Sequence, residues 1–362
     1  MSIFQRTAIA LARSPGVGRA MRTMAARSPL ARRFVGGADV DAAVRTAARL
    51  REAHGIRASL FYLGEYVAER EAIEHNVNQA IGACRALARA GLDAHVSVDP
   101  TAIGYMHSDA LGEDNARRIG MAARIGAGSG RDWMVLDMED AGILDRTCAL
   151  HRDLLDAGIP AGLTLQARRR RTPEDLAWAI RQRTSLRLVK GAFPERALDH
   201  AGRARIDLAY LDAASIMLSR EARESGFYPV FGTHDDRLAG AIMAIARERG
   251  WSADAFEFEM LYGVRPDWQL ALRGLGYNVR VYLPFGADWW PYAVRRSPGG
   301  RESSQRVAAG PFPDVGRALF RVAAAGWRIH GGFPIYLALR RGPARRRAHR
   351  GLAGLPLCAA FS

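Results

Sequence analysis

The sequence has little lysine, little cysteine and no long apolar run. Among its 52 basic side chains there is a single lysine, Lys190, and every other one is an arginine. The two residues are not interchangeable at tight sites, so a lysine in this background indicates a position that requires a compact ammonium group. Chance retention is the alternative, and composition alone does not decide between the two.

The scarcity of cysteine excludes a disulfide scaffold. Cys84, Cys148 and Cys358 are widely spaced and odd in number, and there is no CxxC pair. This pattern argues against a zinc site and fits a reducing compartment. No apolar run reaches the roughly 18 residues of a membrane span, and the N-terminus lacks the apolar stretch of a secretory signal. We therefore predict no bound metal, no transmembrane helix and no secretory signal.

Positive charge is in excess, but much of it lies at the two ends of the chain. The net charge is +15; residues 1–38 hold seven arginines and no acid, and residues 340–350 read RRGPARRRAHR. Between these ends the signs are mixed. We predict no nucleic-acid binding, and we interpret the tail as either disordered or attracted to a membrane surface.

Eight short apolar runs alternate with amphipathic stretches, such as 69–90 and 236–248. The alternation predicts a parallel sheet with right-handed crossovers, and eight units favour a closed (β/α)8 barrel. A doubly wound dinucleotide-binding sheet would need a glycine fingerprint after an early strand, and neither GVG at 16–18 nor GAGSG at 126–130 fits. The predicted strands are 57–63, 93–99, 132–138, 161–167, 185–191, 228–233, 256–261 and 278–284.

The sequence predicts four segments. They are an N-terminal helical segment at 1–50, the barrel at 51–300, a helical C-terminal segment at 301–341 and a disordered basic tail at 342–362. The stretch 315–341 mixes apolar, aromatic and arginine residues, and such a segment can lie on an anionic membrane. A helix that covers the barrel rim is the alternative.

Polar residues follow the predicted strands, where the chemistry of barrel enzymes lies. Exposure to water explains a polar residue at any single strand end. It explains less well why Arg187 and Lys190 share a strand of otherwise small or aliphatic residues. The positions at the strand ends are Gly64, Glu65, Asp99, Asp137, Glu139, Asp140, Gln166, Lys190, Gly191, Thr233, His234, Tyr262, Gly263, Gly286 and Asp288.

Seven motifs at these strand ends together resemble the proline dehydrogenase family. They run in family order over about residues 30–300: LGEYVAER (63–70), VLDMEDA (135–141), LTLQA followed by RRT (163–172), RLVKGA (187–192), GTHDD (232–236), FEFEMLYG (256–263) and VYLPFGADWWPYAVRR (281–296). The resemblance implies a (βα)8 barrel that binds FAD noncovalently, oxidises proline to Δ1-pyrroline-5-carboxylate and passes electrons to a membrane quinone. It implies a cytoplasmic enzyme and leaves open a peripheral contact at the inner face of the membrane.

Within this resemblance, Arg295 and Arg296 are the main substrate candidates, because the family's YxxRR motif corresponds to Tyr292 and these two arginines. A guanidinium binds a carboxylate through two parallel charge-assisted hydrogen bonds. A solvated arginine pair is the alternative. Glu65 is similar to the family carboxylate that pairs with Arg296 and closes the site.

Further residues take their expected roles from the same resemblance. Tyr282 and Leu261 correspond to residues that pack against the substrate ring, with ordinary barrel-mouth packing as the alternative. Arg187 corresponds to a side chain near flavin N5, and Gln166 suits the ring edge. Expected cofactor contacts are Asp137, Met138, Gln166, Arg187, Val189, Lys190, Gly191, Ala192, Thr233, His234 and Tyr262. The implied reaction is hydride transfer to FAD N5, and its expected catalytic residues are Asp137, Arg187, Arg295 and Arg296.

Four departures from the family pattern concern the substrate and the adenosine side. Asp99 stands where the family has a lysine near the substrate carboxylate, and Phe61 stands where it has an aspartate. Phe193 replaces a usual tyrosine, and SPGGRES after Arg296 lacks a helical continuation. Three hypotheses follow: proline oxidation, oxidation of another cyclic or N-substituted amino acid, and a catalytically silent flavin-binding or scaffold protein.

Overall fold

The structure is a computed structural model, which describes residues 33–64, 67–125, 131–192 and 197–287. Eight parallel strands close into a barrel in chain order, and β8 pairs with β1. The predicted fold is confirmed. The strands are β1 Arg57–Tyr62, β2 Val96–Val98, β3 Met134–Leu136, β4 Ala161–Gln166, β5 Ser185–Val189, β6 Tyr228–Gly232, β7 Glu257–Leu261 and β8 Asn278–Phe285.

Helices cover the outside of the barrel in the described ranges. They are α1 Val40–His54, α2 Arg70–Arg89, α3 Asp109–Arg124, α4 Leu144–Asp156, α5 Thr172–Arg181, α6 Arg203–Met217, α7 Arg220–Ser225, α8 Asp236–Glu248 and α9 Pro266–Gly274. The helix predicted at 236–248 has these bounds in the structure, and α2 lies within the predicted 69–90. None of these helices is long and apolar enough to cross a bilayer.

Side-chain caps explain where several helices begin. Asp39 accepts a hydrogen bond from the Ala42 N–H at the start of α1, and Ser108 accepts one from the Leu111 N–H at the start of α3. α1 continues to His54, past the domain boundary that the sequence predicted at residue 50. The predicted segments 301–341 and 342–362 lie outside the described residues.

Seven of the eight strands are shorter than the sequence predicted, and β2 and β3 are shortened most, by four residues each. β2 and β3 have three residues each, whereas the predicted strands 93–99 and 132–138 have seven. The Ala94 N–H donates to the Asp132 carboxylate instead of to a neighbouring strand. After Asp99 the chain enters a 3-10 turn at Pro100, which has no N–H to continue the ladder.

The two faces of the strands differ in polarity. In β7, Phe258 packs against Phe231, with ring centroids 6.1 Å apart, while Glu257 and Glu259 point into the barrel and bind arginines there. The Nε of Arg280 is 2.7 Å from the Glu257 carboxylate, and both side chains are fully buried. The interior is therefore charged, although barrel interiors are usually filled by branched aliphatic side chains.

His151 gives the fold a predictable response to acid. Its Nε2 lies 3.2 Å from the Ala161 carbonyl, and burial lowers its pKa from 6.5 to about 4, against the opposing effect of that hydrogen bond. The folded chain thus binds a proton more weakly than the unfolded chain. The contribution of His151 to the free energy of unfolding is complete above pH 6.5, and ~3 kcal/mol of this contribution is lost as the pH falls to about 4.

Urea unfolding at a series of pH values tests this expectation. His151→Gln can still donate to Ala161 but does not titrate, so its free energy of unfolding should fall less steeply between pH 6.5 and about pH 4. His95 leaves a residual slope in both proteins, because burial and the nearby arginines also lower its pKa. Equal slopes in the variant and the parent would contradict the prediction.

Candidate active site

The guanidinium of Arg187, on β5, lies inside the barrel near the carboxyl ends of the strands, which we call the upper half of the barrel. Its Nε donates to Thr164 Oγ1 at 3.1 Å, and its Nη1 donates to Ser97 Oγ at 3.2 Å and to Glu259 Oε1 at 2.5 Å. Its Nη2 donates to Thr164 Oγ1 at 2.9 Å and to the Asp137 carboxylate. All three nitrogens therefore have protein acceptors, which come from four strands or strand ends other than its own.

The charges around Arg187 decide its ionisation. Burial alone would lower the pKa of Arg187, but the carboxylates of Asp137 and Glu259 raise it above its ordinary value. Burial raises the pKa of the Glu259 carboxyl, against the effect of Arg187. Arg187 therefore stays a cation, held between two acids.

Asp137 links Arg187 to the barrel mouth. The Tyr282 hydroxyl donates to Asp137 Oδ2 at 2.8 Å, and the Arg187 guanidinium carbon lies 5.3 Å from the centre of the Tyr282 ring. Burial raises the pKa of Tyr282 well above its ordinary value, and the charges of Asp137 and Asp99 raise it further. Tyr282 is therefore a permanent donor to Asp137, which in turn keeps the ring in one orientation.

Three more residues border this ring. Leu261 is the partner of Tyr282 across the β7–β8 ladder, and the Phe61 ring lies 5.0 Å from the Tyr282 ring. Asp99 directly follows β2 and is 7% exposed. The mouth thus combines an apolar wall with two carboxylates, those of Asp99 and Asp137.

Gln166 and Gly191 form a cradle beside this mouth. The Gln166 amide donates to the carbonyls of Met138 at 2.8 Å and Glu139 at 2.9 Å, while its Oε1 is buried without a partner among the described residues. A Cβ at position 191 would lie 2.9 Å from that oxygen and 2.7 Å from Arg168 Cδ, and Gly191 has φ +100°. A buried acceptor beside a glycine that leaves the backbone open fits a ring edge with an N–H donor.

Lys190 lies next to this cradle. Its Nζ is 2.5 Å from Asp207, on α6, and 3.3 Å from Asp235, which caps α8. Arg237 lies near the same two acids, at 3.9 Å and 3.3 Å. The chain's lysine thus sits where two carboxylates converge, in a group that holds two cations and two anions.

The comparisons with known proteins agree with this geometry. The profile of the family described as proline dehydrogenase matches residues 43–308. Proline dehydrogenase 1 of Bacillus subtilis (strain 168) is 33% identical over 267 residues, which cover 74% of this chain and 85% of the relative. Proline dehydrogenase of Deinococcus radiodurans is 34% identical over 272 residues, with the same coverage of 74% and 85%.

The chain belongs to the proline dehydrogenase family. Membership makes it an oxidoreductase of the class that acts on CH–NH groups. It also accounts for the polar side chains that meet at the carboxyl ends of the described strands, since barrel enzymes carry their chemistry there.

Solved structures share the barrel at lower identity. Proline utilization A from Bdellovibrio bacteriovorus, inactivated by N-propargylglycine, has a TM-score of 0.66 at 22% identity over 79% of this chain. The protein of that name from Corynebacterium freiburgense has a TM-score of 0.65 at 19% identity over 83% of this chain. The chain spans about a third of these solved chains, 36% and 33% respectively, and the likeness shows the fold alone.

The structure brings together much of the site expected for the proline dehydrogenase family. Asp137, Arg187 and Tyr282 are in direct contact, and Leu261 and Asp99 border them. At the end of β7, the backbone N–H of Leu261 donates to His234 Nε2 at 2.9 Å, so this imidazole holds the end of the strand. Thr233, Tyr262, Met138, Val189 and Ala192 also lie at strand ends of this face. The predicted Glu65, Tyr292, Arg295 and Arg296, and also Phe193, lie outside the described residues.

Three residues of the cluster escaped the sequence-based prediction. Glu259, Ser97 and Thr164 contact Arg187 directly, yet they stand inside strands and not at their ends. FEFEML carried a usable signal, because alternate glutamates between phenylalanines put two acids on one face of a strand. Ser97 and Thr164 carried none, since a hydroxyl residue in a strand is common.

Removing the Arg187 cation should cost much of the barrel's stability. Arg187→Met leaves the buried Asp137 and Glu259 without their shared counter-charge, and such a loss destabilises by about 3–5 kcal/mol. Urea unfolding measures the change. As a control, Arg220→Met removes an exposed pair with Glu224 on α7 and should leave the unfolding midpoint unchanged.

A double variant checks the assignment. Adding Glu259→Gln to Arg187→Met removes one of the two buried negative charges that have lost their counter-charge. The loss of unfolding free energy in the double variant should therefore be smaller than the sum of the losses in the two single variants. Strict additivity, or equal midpoints for Arg187→Met and Arg220→Met, would contradict the proposed buried network.

Proposed function

We propose that the protein oxidises L-proline to Δ1-pyrroline-5-carboxylate with FAD as its electron acceptor. Family membership supports the reaction, and the contact of Asp137, Arg187 and Tyr282 at the C-terminal end of the barrel is the observation that carries it. A hydride leaves the substrate carbon next to nitrogen, and the amine loses a proton. The bound flavin would supply the two-electron acceptor at N5.

The residues of the cradle would hold the cofactor. Gln166 offers its buried Oε1 to an N–H of the ring edge, and Gly191 allows the close approach. Lys190, with the backbone of Gly191 and Ala192, would face the pyrophosphate, and Arg187 would lie on the N5 side. Further contacts are proposed for Asp137, Met138, Val189, Thr233, His234 and Tyr262.

The substrate would lie between the apolar wall and the arginine pair. Tyr282 and Leu261 would pack against the pyrrolidine ring. Arg295 and Arg296, with Tyr292, would bind the carboxylate, and Glu65 would close the site through Arg296. Because Asp137 accepts from both Arg187 and Tyr282, it would hold the orientation of the site.

We further propose a quinone as the final electron acceptor, and a cytoplasmic protein that contacts the inner face of the membrane peripherally. The basic stretch 340–350 supports this contact by its charge. The small-molecule amino acid and the quinone are thus the proposed partners, with no role for nucleic acid.

Asp99 favours a second candidate, the oxidation of a related amino acid that carries an extra positive charge or a hydroxyl group. This carboxylate is buried at the mouth, close enough to Tyr282 to raise the pKa of its hydroxyl. A substrate carboxylate at ~4 Å would be repelled by about 4 kcal/mol at an effective dielectric constant of about 20. A cation or a donor on the substrate would be attracted instead.

Flavin loading and bleaching test both candidates. The protein should bind FAD, with an absorption band at about 450 nm, and anaerobic proline should bleach it. Bleaching by cationic or hydroxylated analogues but not by proline would select the second candidate. A flavoprotein that no such amino acid bleaches would be catalytically silent, and a folded protein that cannot be loaded with FAD would contradict both.

The charge at position 99 should determine how well proline is used as a substrate. Asp99→Lys should raise kcat/KM for proline at least about tenfold, because it replaces a repulsive term of more than 1.4 kcal/mol by an attractive one. Asp156→Lys changes the net charge equally on the exposed end of α4 and should leave kcat/KM unchanged. Equal effects of the two substitutions would show that position 99 does not face the substrate.

A further inference from the structure

The two glutamates of β7 form a natural comparison within the barrel. Glu257 and Glu259 stand two residues apart on one face of the same strand, and both are buried, at 0% and 4% exposure. Glu259 Oε1 lies 2.5 Å from Arg187 Nη1, and Glu257 Oε1 lies 2.7 Å from Arg280 Nε. They therefore have the same chemistry and the same kind of partner, but they lie at different depths.

The two layers differ in charge. In the upper layer, one cation, Arg187, faces two carboxylates, those of Asp137 and Glu259. Asp137 also accepts from Tyr282 and so has a role at the mouth, whereas each described hydrogen bond of the Glu259 side chain goes to Arg187. Glu259 therefore acts on the mouth through Arg187, by its contact and by its charge.

The lower layer is arranged differently. Arg280 binds both Glu257 and Asp93, and Arg57 also binds Asp93 at 2.5 Å. Strand residues rise by about 3.3 Å each, so Glu257 lies roughly 6–7 Å further from the mouth than Glu259. The charge of Glu257 is therefore more distant, and it is shared between Arg280 and Arg131, whose Nη1 lies 3.9 Å from Glu257 Oε2.

We propose that Glu259 is a positioning residue that sets the reduction potential of the flavin, by holding Arg187 in place and cancelling part of its positive charge. This inference rests on the proposed function, in which FAD lies at the mouth above Arg187. Reduced flavin is electron-rich, so a positive field favours it and a buried carboxylate opposes it. Glu259 thus keeps the potential lower than Arg187 alone would make it.

The test compares neutral and charged side chains at the two depths. Glu259→Gln keeps an acceptor for Arg187 but removes the negative charge. Glu257→Gln likewise keeps an acceptor for Arg280 and removes the negative charge in the lower layer. The reduction potential of each FAD-loaded protein is measured at pH 8 against a reference dye, without substrate.

We expect Glu259→Gln to raise the ratio of reduced to oxidised flavin at a fixed potential by about tenfold, which is about 30 mV for this two-electron couple. Glu257→Gln should change the ratio less than about threefold. Glu259→Asp keeps the charge and should also remain within about threefold of the parent. Equal shifts for the two glutamine variants, no shift for Glu259→Gln, or an equal shift for Glu259→Asp would overturn the inference.

The outcomes separate this inference from the proposed function. If the parent protein cannot be loaded with FAD, the proposed function fails before any variant is measured. If the parent binds FAD and its potential matches that of Glu259→Gln, only the role of Glu259 fails. Should Glu259→Gln not fold, Glu259→Met is a neutral replacement of similar length, and the same tenfold criterion applies to it.

Discussion

The mouth of the barrel depends on one buried cation, the guanidinium of Arg187. Removing such a charge from water costs several kcal/mol, and the cost is offset only when each nitrogen finds a well-placed acceptor. Here the acceptors come from the ends or interiors of β2, β3, β4 and β7. Strands that lie far apart in the sequence are thereby tied around one point, and the acids Asp137 and Glu259 cannot move independently of it.

This arrangement divides the barrel into an outer and an inner part. The outer faces of the strands pack aromatic and aliphatic side chains under the helices, as Phe231 and Phe258 do. The inner faces carry ion pairs in two layers, with Arg280 and Glu257 below and Arg187 and Glu259 above. The lower layer fills the interior further from the mouth, while the upper layer orients the residues of the mouth. Hydrophobic burial thus stabilises the shell, and charge pairing specifies the interior.

The mouth owes its chemistry to this upper layer. Because Tyr282 donates permanently to Asp137, its ring faces the opening together with Leu261 in a defined orientation. Gln166 Oε1, which has no partner in the described part of the chain, adds a buried acceptor beside the mouth. Asp99 is buried beside Tyr282, so its carboxylate belongs to this mouth rather than to the surface.

By itself, the sequence determined the eight strand–helix units, the closed barrel and the end of the barrel that carries the polar residues. These features follow from apolar periodicity and from the residue types at strand ends. Both are properties of short stretches of sequence, so they can be recognised without the structure. The bounds of β2 and β3 were wrong because the carboxylate of Asp132 and the proline after Asp99 end the ladder early. Such effects depend on single side chains.

Only the tertiary structure decided which charges pair. Tyr282 and Asp137 are 145 residues apart, and Glu259 and Arg187 are 72 residues apart. In the sequence, Glu259 was only one of two acids in a strand, and Lys190 had no visible partner although Asp207 and Asp235 converge on it. Closure of the barrel places these groups within contact distance, because strand register and tilt determine which inward side chains meet. Neither the register nor the tilt of the strands can be derived from short stretches of sequence.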